Sequence, residues 1–73
     1  MPTDTFFNLP DKKRQLILNL AIAEFSENDY NNASISRIVA RAGIAKGSFY
    51  QYFQDKQDLY MYCLLYTSDA ADE

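Results

Sequence analysis

Two glycines, Gly43 and Gly47, stand four residues apart and are the only glycines in this chain of 73 residues. Before Gly43, four apolar residues recur at helical spacing: Ile35, Ile38, Val39 and Ala42. After Gly47, Phe49 and Phe53 lie one helical turn apart. Because glycine adopts the left-handed conformation that ends helices, the pattern predicts a helix, a turn at Gly43 and a second short helix within residues 34–53.

Further helices are predicted on both sides of this unit. Pro10 suits a first helical position, and Ile17, Ala21 and Phe25 recur at intervals of four, so residues 10–28 are predicted to form the first helix. Asp55 is a suitable N-cap for another helix that starts at Lys56. The sequence therefore predicts an all-α fold, a three-helix helix-turn-helix bundle followed by the start of a fourth helix.

The residue inventory excludes several classes of function. The chain has no His and a single Cys, Cys63, so a Cys/His zinc site and His-dependent catalysis are excluded. We therefore expect no enzyme activity, no metal and no cofactor. No apolar run is long enough to span a bilayer, and the N-terminus does not resemble a signal peptide. These features favour a cytoplasmic protein without a membrane partner.

The charge is distributed unevenly along the chain. Seven basic and ten acidic residues give a net charge of −3. Residues 30–54, however, hold three basic residues and no acid: Arg37, Arg41 and Lys46. Electrostatic attraction acts within about 8–10 Å at physiological salt, so this local charge of +3 is compatible with nucleic acid although the whole chain is acidic. Arg37 and Arg41 are interpreted mainly as a solvated face.

The third predicted helix carries a small, polar outward face. A helical projection places four residues there: Gly47, Ser48, Gln51 and Tyr52. Lys46 lies in the first turn, and the face has no acid. A helix that enters the major groove needs such slim and hydrogen-bonding side chains. An ordinary solvated helix face would have the same composition, so the pattern alone leaves both interpretations open.

Two segments together resemble a known family. The run IVARAGIAKGSFYQYFQDKQDL at residues 38–59 resembles the DNA-binding domain of the TetR family of bacterial transcriptional regulators, and RQLILNLAIAEF at residues 14–25 is similar to the first helix of that family. The resemblance implies a homeodomain-like fold with its recognition helix, about residues 45–53, in the major groove. It implies the N-terminal part of a homodimeric, ligand-responsive regulator, usually a repressor, whose partner is double-stranded DNA.

The resemblance also implies roles for individual residues. It assigns contacts with DNA base edges or the nearby backbone to Lys46, Gly47, Ser48 and Gln51. It assigns contacts with DNA phosphates to Ser34, Ser36, Tyr52 and Lys56. Tyr50 matches a position that is both core and DNA-facing, and we expect its ring to belong to the core. Ala45 departs from the family, which has Ser or Thr there, so a helix cap is expected to be missing.

The chain divides into an N-terminal arm at 1–9, the DNA-binding domain at 10–62 and a tail at 63–73. The tail, CLLYTSDAADE, fits no element of the family and resembles the translated sequence of a transposase-based sequencing-library adaptor. We therefore expect the natural sequence to stop near Tyr62 and the last eleven residues to be an assembly artefact. The dimerising and ligand-binding parts of the family would then be missing. A genuine short acidic tail is the alternative.

A second function remains open at the level of sequence. Three tyrosines near the end of the chain, Tyr60, Tyr62 and Tyr66, would give the fourth helix an aromatic surface. Such a surface is typical of a helical protein-interaction module that docks on a partner helix without binding DNA. The same tyrosines would be exposed if a following domain were absent.

Overall fold

A computed structural model describes the backbone of residues 2–71 and the side chains of residues 2–66. Five helices and no strand lie within these residues. In chain order they are α1 (Asp4–Phe7), α2 (Asp11–Glu27), α3 (Ile35–Ala42), α4 (Lys46–Tyr52) and α5 (Lys56–Ala71). The predicted all-α class is confirmed, and the predicted first helix matches α2, with Pro10 and Asn28 as its flanking residues.

The long helix α2 organises the bundle. It packs against α3 and α5, while α4 packs against α3 and α1. The side chains that fill the space between them are mostly apolar and almost fully buried: Phe6, Ile17, Leu18, Ala21, Ile38, Phe49, Phe53 and Leu59. One core therefore fixes the position of α4 relative to the other helices.

The N-terminal segment contains a short helix that the sequence pattern did not predict. The ring of Phe6 is fully buried, with its centroid 5.0 Å from that of Phe53 and 6.2 Å from that of Tyr52. The backbone N–H of Thr3 donates to the carbonyl of Tyr52 at 2.9 Å, and the Thr3 hydroxyl donates to the carbonyl of Gln51 at 2.6 Å. Residues 3–6 thus hold the C-terminal end of α4.

The turn between α3 and α4 is set by Gly43. Its φ of +73° is in the left-handed region, and its N–H donates to the carbonyl of Ala40 while the N–H of Ile44 donates to that of Val39. This pair of bonds is a Schellman motif, which satisfies the last carbonyls of a helix. The predicted turn at Gly43 is confirmed.

The helix starts follow the predicted caps where a capping side chain exists. The Ser34 hydroxyl accepts from the N–H of Arg37 at 3.2 Å, and the Asp55 carboxylate accepts from the N–H of Asp58 at 2.8 Å. Ala45 precedes α4 without any side-chain cap, as expected from its methyl group. The start of α4 is therefore less well stabilised than the starts of α3 and α5.

Helix α5 continues beyond the expected boundary near Tyr62. It extends to Ala71, and Cys63 lies on its buried side, where burial raises the pKa of the thiol to about 11. Within residues 2–71, no helix combines the length and the apolar content that crossing a bilayer requires.

Candidate nucleic-acid interface

Helix α4 has one buried side and one exposed side. Phe49, Tyr52 and Phe53 point into the core. The exposed residues are Lys46, Gly47, Tyr50 and Gln51, and Ser48 is half-buried. The exposed side carries an ammonium, an amide and a phenol, which can donate hydrogen bonds to base edges or phosphates.

The starts of α3 and α4 are close together. The Lys46 ammonium donates to the Ser36 hydroxyl at 3.2 Å, and both residues are exposed. Ser34, two residues earlier, uses its hydroxyl as the cap of α3. The structure therefore brings Ser36 and Lys46 to one continuous surface, with Ser34 at the beginning of the same helix.

Gly47 has no role in the packing of the protein itself. A Cβ atom built on it meets no atom within 4 Å, and its backbone is helical without a positive φ. A glycine in a helix interior costs roughly 1 kcal/mol relative to alanine. Nothing inside the described bundle requires a glycine at this position.

Two tyrosines of α4 lie differently from the prediction. Tyr50 was expected in the core, but it is 47% exposed, with its ring edge-on to Phe49 at a centroid distance of 5.0 Å. Tyr52 was placed on the outward face, but it is only 7% exposed. The burial of Tyr52 follows from the unpredicted helix α1, because its Phe6 ring packs near Tyr52 on that side of α4.

Lys56, at the start of α5, points toward the loop between α2 and α3. Its ammonium donates to the carbonyls of Tyr30 at 2.8 Å and Ala33 at 3.0 Å, and it lies 4.7 Å from the centroid of the Tyr30 ring. The side chain is half-buried. In this structure Lys56 fastens a loop, which the sequence did not indicate.

An ion pair between buried Glu24 and exposed Arg37 joins α2 to α3. Glu24 of α2 is only 1% exposed, and its Oε2 accepts from Arg37 Nε at 2.9 Å and Nη2 at 2.6 Å. The same oxygen accepts from the backbone N–H of Ser34 at 2.9 Å. The Arg37 hydrogen bonds hold the pKa of the Glu24 carboxyl below its usual value, and Glu24 raises that of Arg37.

This pair corrects the interpretation of the charges. Arg37 is exposed, as expected of a solvated face, but its charge is matched by Glu24, so the positive region amounts to three basic groups minus one acid, a charge of +2. A signal for this existed in the sequence. Glu24 follows Ile17 and Ala21 at the spacing i, i+4, i+7, which places a carboxylate on the apolar stripe and implies a buried partner.

The fold and this surface define the class of protein. A short exposed helix that follows a glycine turn, held by a three-helix core, is a helix-turn-helix DNA-binding domain. The sequence model of a protein family, the bacterial regulatory proteins of the tetR family, matches residues 17–63, more than half of the chain. The chain belongs to the tetR family of bacterial transcriptional regulators.

Individual relatives agree with this assignment. The chain is 36% identical over 47 residues to the fatty acid metabolism regulator protein of Bacillus subtilis and 49% identical over 47 residues to the HTH-type transcriptional regulator YvdT of the same organism, in each case covering 64% of this chain and 24% of the relative. Among solved structures, the chain is similar to a TetR family transcriptional regulator from Chloroflexus aurantiacus, with 61% sequence identity and a TM-score of 0.81. The match covers 85% of this chain and 29% of that one.

The chain thus spans about a quarter of the length of the relatives it matches. Its matched part is the DNA-binding domain of a transcriptional regulator, and the family is not one of enzymes. None of the comparisons favours the alternative of a protein-interaction module without DNA binding. Among the residues that the structure describes, no cluster of His, Cys, Asp and Glu could hold a metal ion.

Proposed function

We propose that α4 is the recognition helix of this domain and enters the major groove of double-stranded DNA. Four residues face the bases or the adjacent backbone: Lys46, Gly47, Tyr50 and Gln51. Ser48 contributes at the edge of this face, and Ser34 and Ser36 meet phosphates at the start of α3. The observation that carries the proposal is Gly47, an exposed helical glycine with open space around its Cα.

Two of the residues predicted to bind phosphates, Tyr52 and Lys56, gain no support from the structure. The ring of Tyr52 is buried, and the ammonium of Lys56 already donates to two carbonyls. A phosphate contact by Tyr52 therefore stays a prediction that rests on the resemblance. The proposal depends instead on the surface formed by α4 and the first turn of α3.

For the whole protein, we propose a cytoplasmic homodimeric repressor that responds to a small ligand. The chain spans about a quarter of its relatives, so the dimer contacts and the ligand site would lie in the part that is not represented. Two copies would read paired half-sites on the DNA, and the ligand would shift the population of DNA-competent dimers.

The direct test is selection of DNA from a random duplex library with the 73-residue chain, followed by fluorescence anisotropy on the selected sequence across a salt series. We expect weak, sequence-dependent binding. The slope of log K against log [salt] should be about −0.9 or steeper, since Lys46 alone would release about one counterion. No enrichment at low salt, together with a helical circular dichroism spectrum, would contradict the proposal.

Substitutions then separate the two kinds of contact. We expect Gln51→Ala to change which base is preferred at one position, because an amide reads base edges. Ser36→Ala should weaken binding to all sequences alike, because phosphate contacts carry no sequence information. Repeating the selection with each variant measures both effects, and a change of base preference with Ser36→Ala would show that the roles are assigned wrongly.

A further inference from the structure

Helix α4, the proposed recognition helix, is short and has weak caps of its own. It has seven residues, and isolated helices shorter than about 12 residues are marginal in water. Ala45 gives it no side-chain cap at the start. At the other end, Phe53 has an extended backbone, with φ −135° and ψ 147°, in place of the left-handed turn that closes α3. The last carbonyls of α4 therefore need donors from another part of the chain.

Thr3 supplies two of these donors from the N-terminal segment. Its hydroxyl donates to the Gln51 carbonyl at 2.6 Å, and its backbone N–H donates to the Tyr52 carbonyl at 2.9 Å. The hydroxyl of a threonine at an N-cap commonly accepts from an N–H in the first turn of the helix that follows. Thr3 is the N-cap residue of α1 but makes no such bond. Its hydroxyl thus serves α4 and not the helix that it precedes.

Two further contacts fix α1, and with it Thr3, relative to the bundle. The Phe6 ring is fully buried in the core. At the C-terminal end of α1, Arg14 Nη1 donates to the carbonyls of Phe7 and Leu9, each at 2.8 Å. The N-terminal segment is therefore attached to α2 as well as to the core. Thr3 is a fixed point to which the end of α4 is bound.

The Thr3 hydroxyl binds the backbone of the residue that is proposed to read a base. Gln51 is exposed, and the carbonyl that accepts from Thr3 belongs to the same residue as the amide side chain. An amide recognises a base edge through two parallel hydrogen bonds, which require the side chain to start from one defined place. A hydrogen bond on the Gln51 carbonyl restricts the backbone from which that side chain starts.

We propose that Thr3 is a positioning residue for base recognition, because its hydroxyl closes the C-terminal end of α4 and so sets where Gln51 meets the DNA. This inference rests on the proposed function of α4. It gives the N-terminal segment a part in the choice of DNA sequence without any contact between Thr3 and DNA. A hydroxyl that only stabilised the fold would change stability alone, and one that bound a phosphate would affect all DNA sequences alike.

Thr3→Val keeps the shape of the side chain and removes the hydroxyl. In selection from a random duplex library, we expect the preference at the base position that Gln51→Ala identifies to fall about fivefold, the scale of one lost hydrogen bond. Preferences elsewhere in the site should stay as in the wild type. The slope of log K against log [salt] should also stay unchanged, because no phosphate contact is removed. A uniform loss at all positions, or an unchanged preference, would overturn the proposal.

Two variants serve as matched controls. Thr3→Ser keeps the hydroxyl and should retain the wild-type base preference, so a loss equal to that of Thr3→Val would overturn the proposal. Thr5→Val makes the same substitution two residues later, at an exposed position of α1, and should leave the base preference unchanged. An effect equal to that of Thr3→Val would show that the Thr3 hydroxyl is not the cause.

Amide hydrogen exchange in the free protein tests the hold on α4 without DNA. We expect the N–H groups of Gln51, Tyr52 and Phe53 to exchange about fivefold faster in Thr3→Val than in the wild type, while amides in the middle of α2 exchange as before. Unchanged exchange at the end of α4 would overturn the proposal. Failure of the proposed DNA-binding function would instead show in the wild type, as the absence of any selected sequence, so the two failures are distinguishable.

Discussion

The α2–α3 junction and the exposed face of α4 are both polar, but they use their polar groups in opposite ways. At the junction, Glu24, Arg37 and Lys56 bind one another or the backbone of the chain. On α4, the Gln51 side chain makes no hydrogen bond to another described residue, and Gly47 borders open space. Polar groups satisfied within the chain stabilise the fold, whereas exposed groups with free donors are available to a partner.

Breaking the ion pair of the junction is expected to have the largest effect. Arg37→Met leaves the buried Glu24 carboxylate without its main partner, so we expect the melting temperature to fall by about 10 °C. Arg41→Met is the matched control, one turn away on the same helix and exposed, and should change it by less than about 3 °C. Thermal unfolding followed by circular dichroism measures both, and equal shifts would show that burial of Glu24 is not the cause.

The two glycines are expected to respond with opposite signs. Gly43→Ala places a Cβ at φ +73° and should destabilise the fold by about 1–2 kcal/mol. Gly47→Ala has open space and should stabilise the fold by about 0.5–1 kcal/mol. Urea unfolding gives both values, and a loss of stability in Gly47→Ala would contradict the assigned environment.

The same pair of variants separates folding from binding. A methyl group on the slim face of α4 should weaken DNA binding by roughly tenfold, or about 1.4 kcal/mol, although the protein becomes more stable. Anisotropy on the selected DNA measures this. Wild-type affinity in Gly47→Ala would remove the main support for α4 as the helix in the groove.

Restoring the missing cap tests the weakest helix start. Ala45 has the extended backbone of an N-cap, with φ −79° and ψ 152°, but no side-chain acceptor. Ala45→Ser should add a hydrogen bond to an N–H of the first turn of α4 and stabilise the protein by about 1 kcal/mol. Chemical unfolding against the wild type checks it, with Ala45→Val as a control that cannot cap.

The smallest expected effect is a pH dependence specific to Glu24. Its pKa is lower in the folded chain than the ordinary value of 4.5, so its contribution to stability is present above about pH 4.5 and is lost as the pH falls through the folded pKa. Glu24→Gln cannot titrate. The unfolding free energies of the wild type and Glu24→Gln are compared between pH 7 and pH 3. We expect the difference between them to shrink on acidification, and a constant difference would contradict the linkage.

Much of the fold could be predicted because its signals are local. The apolar spacing gave α2, α3 and α4 to within a residue or two, Ser34 and Gly43 marked the start and the end of α3, and Asp55 marked the start of α5. The short α1 could not be found, because four residues contain too little periodicity and its stability comes from Phe6 entering a core that other segments build.

The candidate site was predicted in composition more than in arrangement. The spacing placed Lys46, Gly47 and Gln51 on the exposed face, and they are exposed. The two tyrosines were exchanged in role, since Tyr50 is exposed and Tyr52 is covered by α1. A helical projection shows which residues share a face, but only the neighbouring elements decide which face is covered.

The sequence by itself determined the class of fold, the turn at Gly43 and the family, because these depend on local propensities and on the spacing of a specific motif. Only the tertiary structure decided what the charged residues do. Arg37 and Lys56 resemble ordinary surface residues in the sequence, and the spacing that places Glu24 on the apolar stripe does not identify its partner. The partners of these residues lie 13 to 26 positions away along the chain. Burial of a charge depends on contacts that the fold creates between distant segments, and a one-dimensional pattern does not contain those distances.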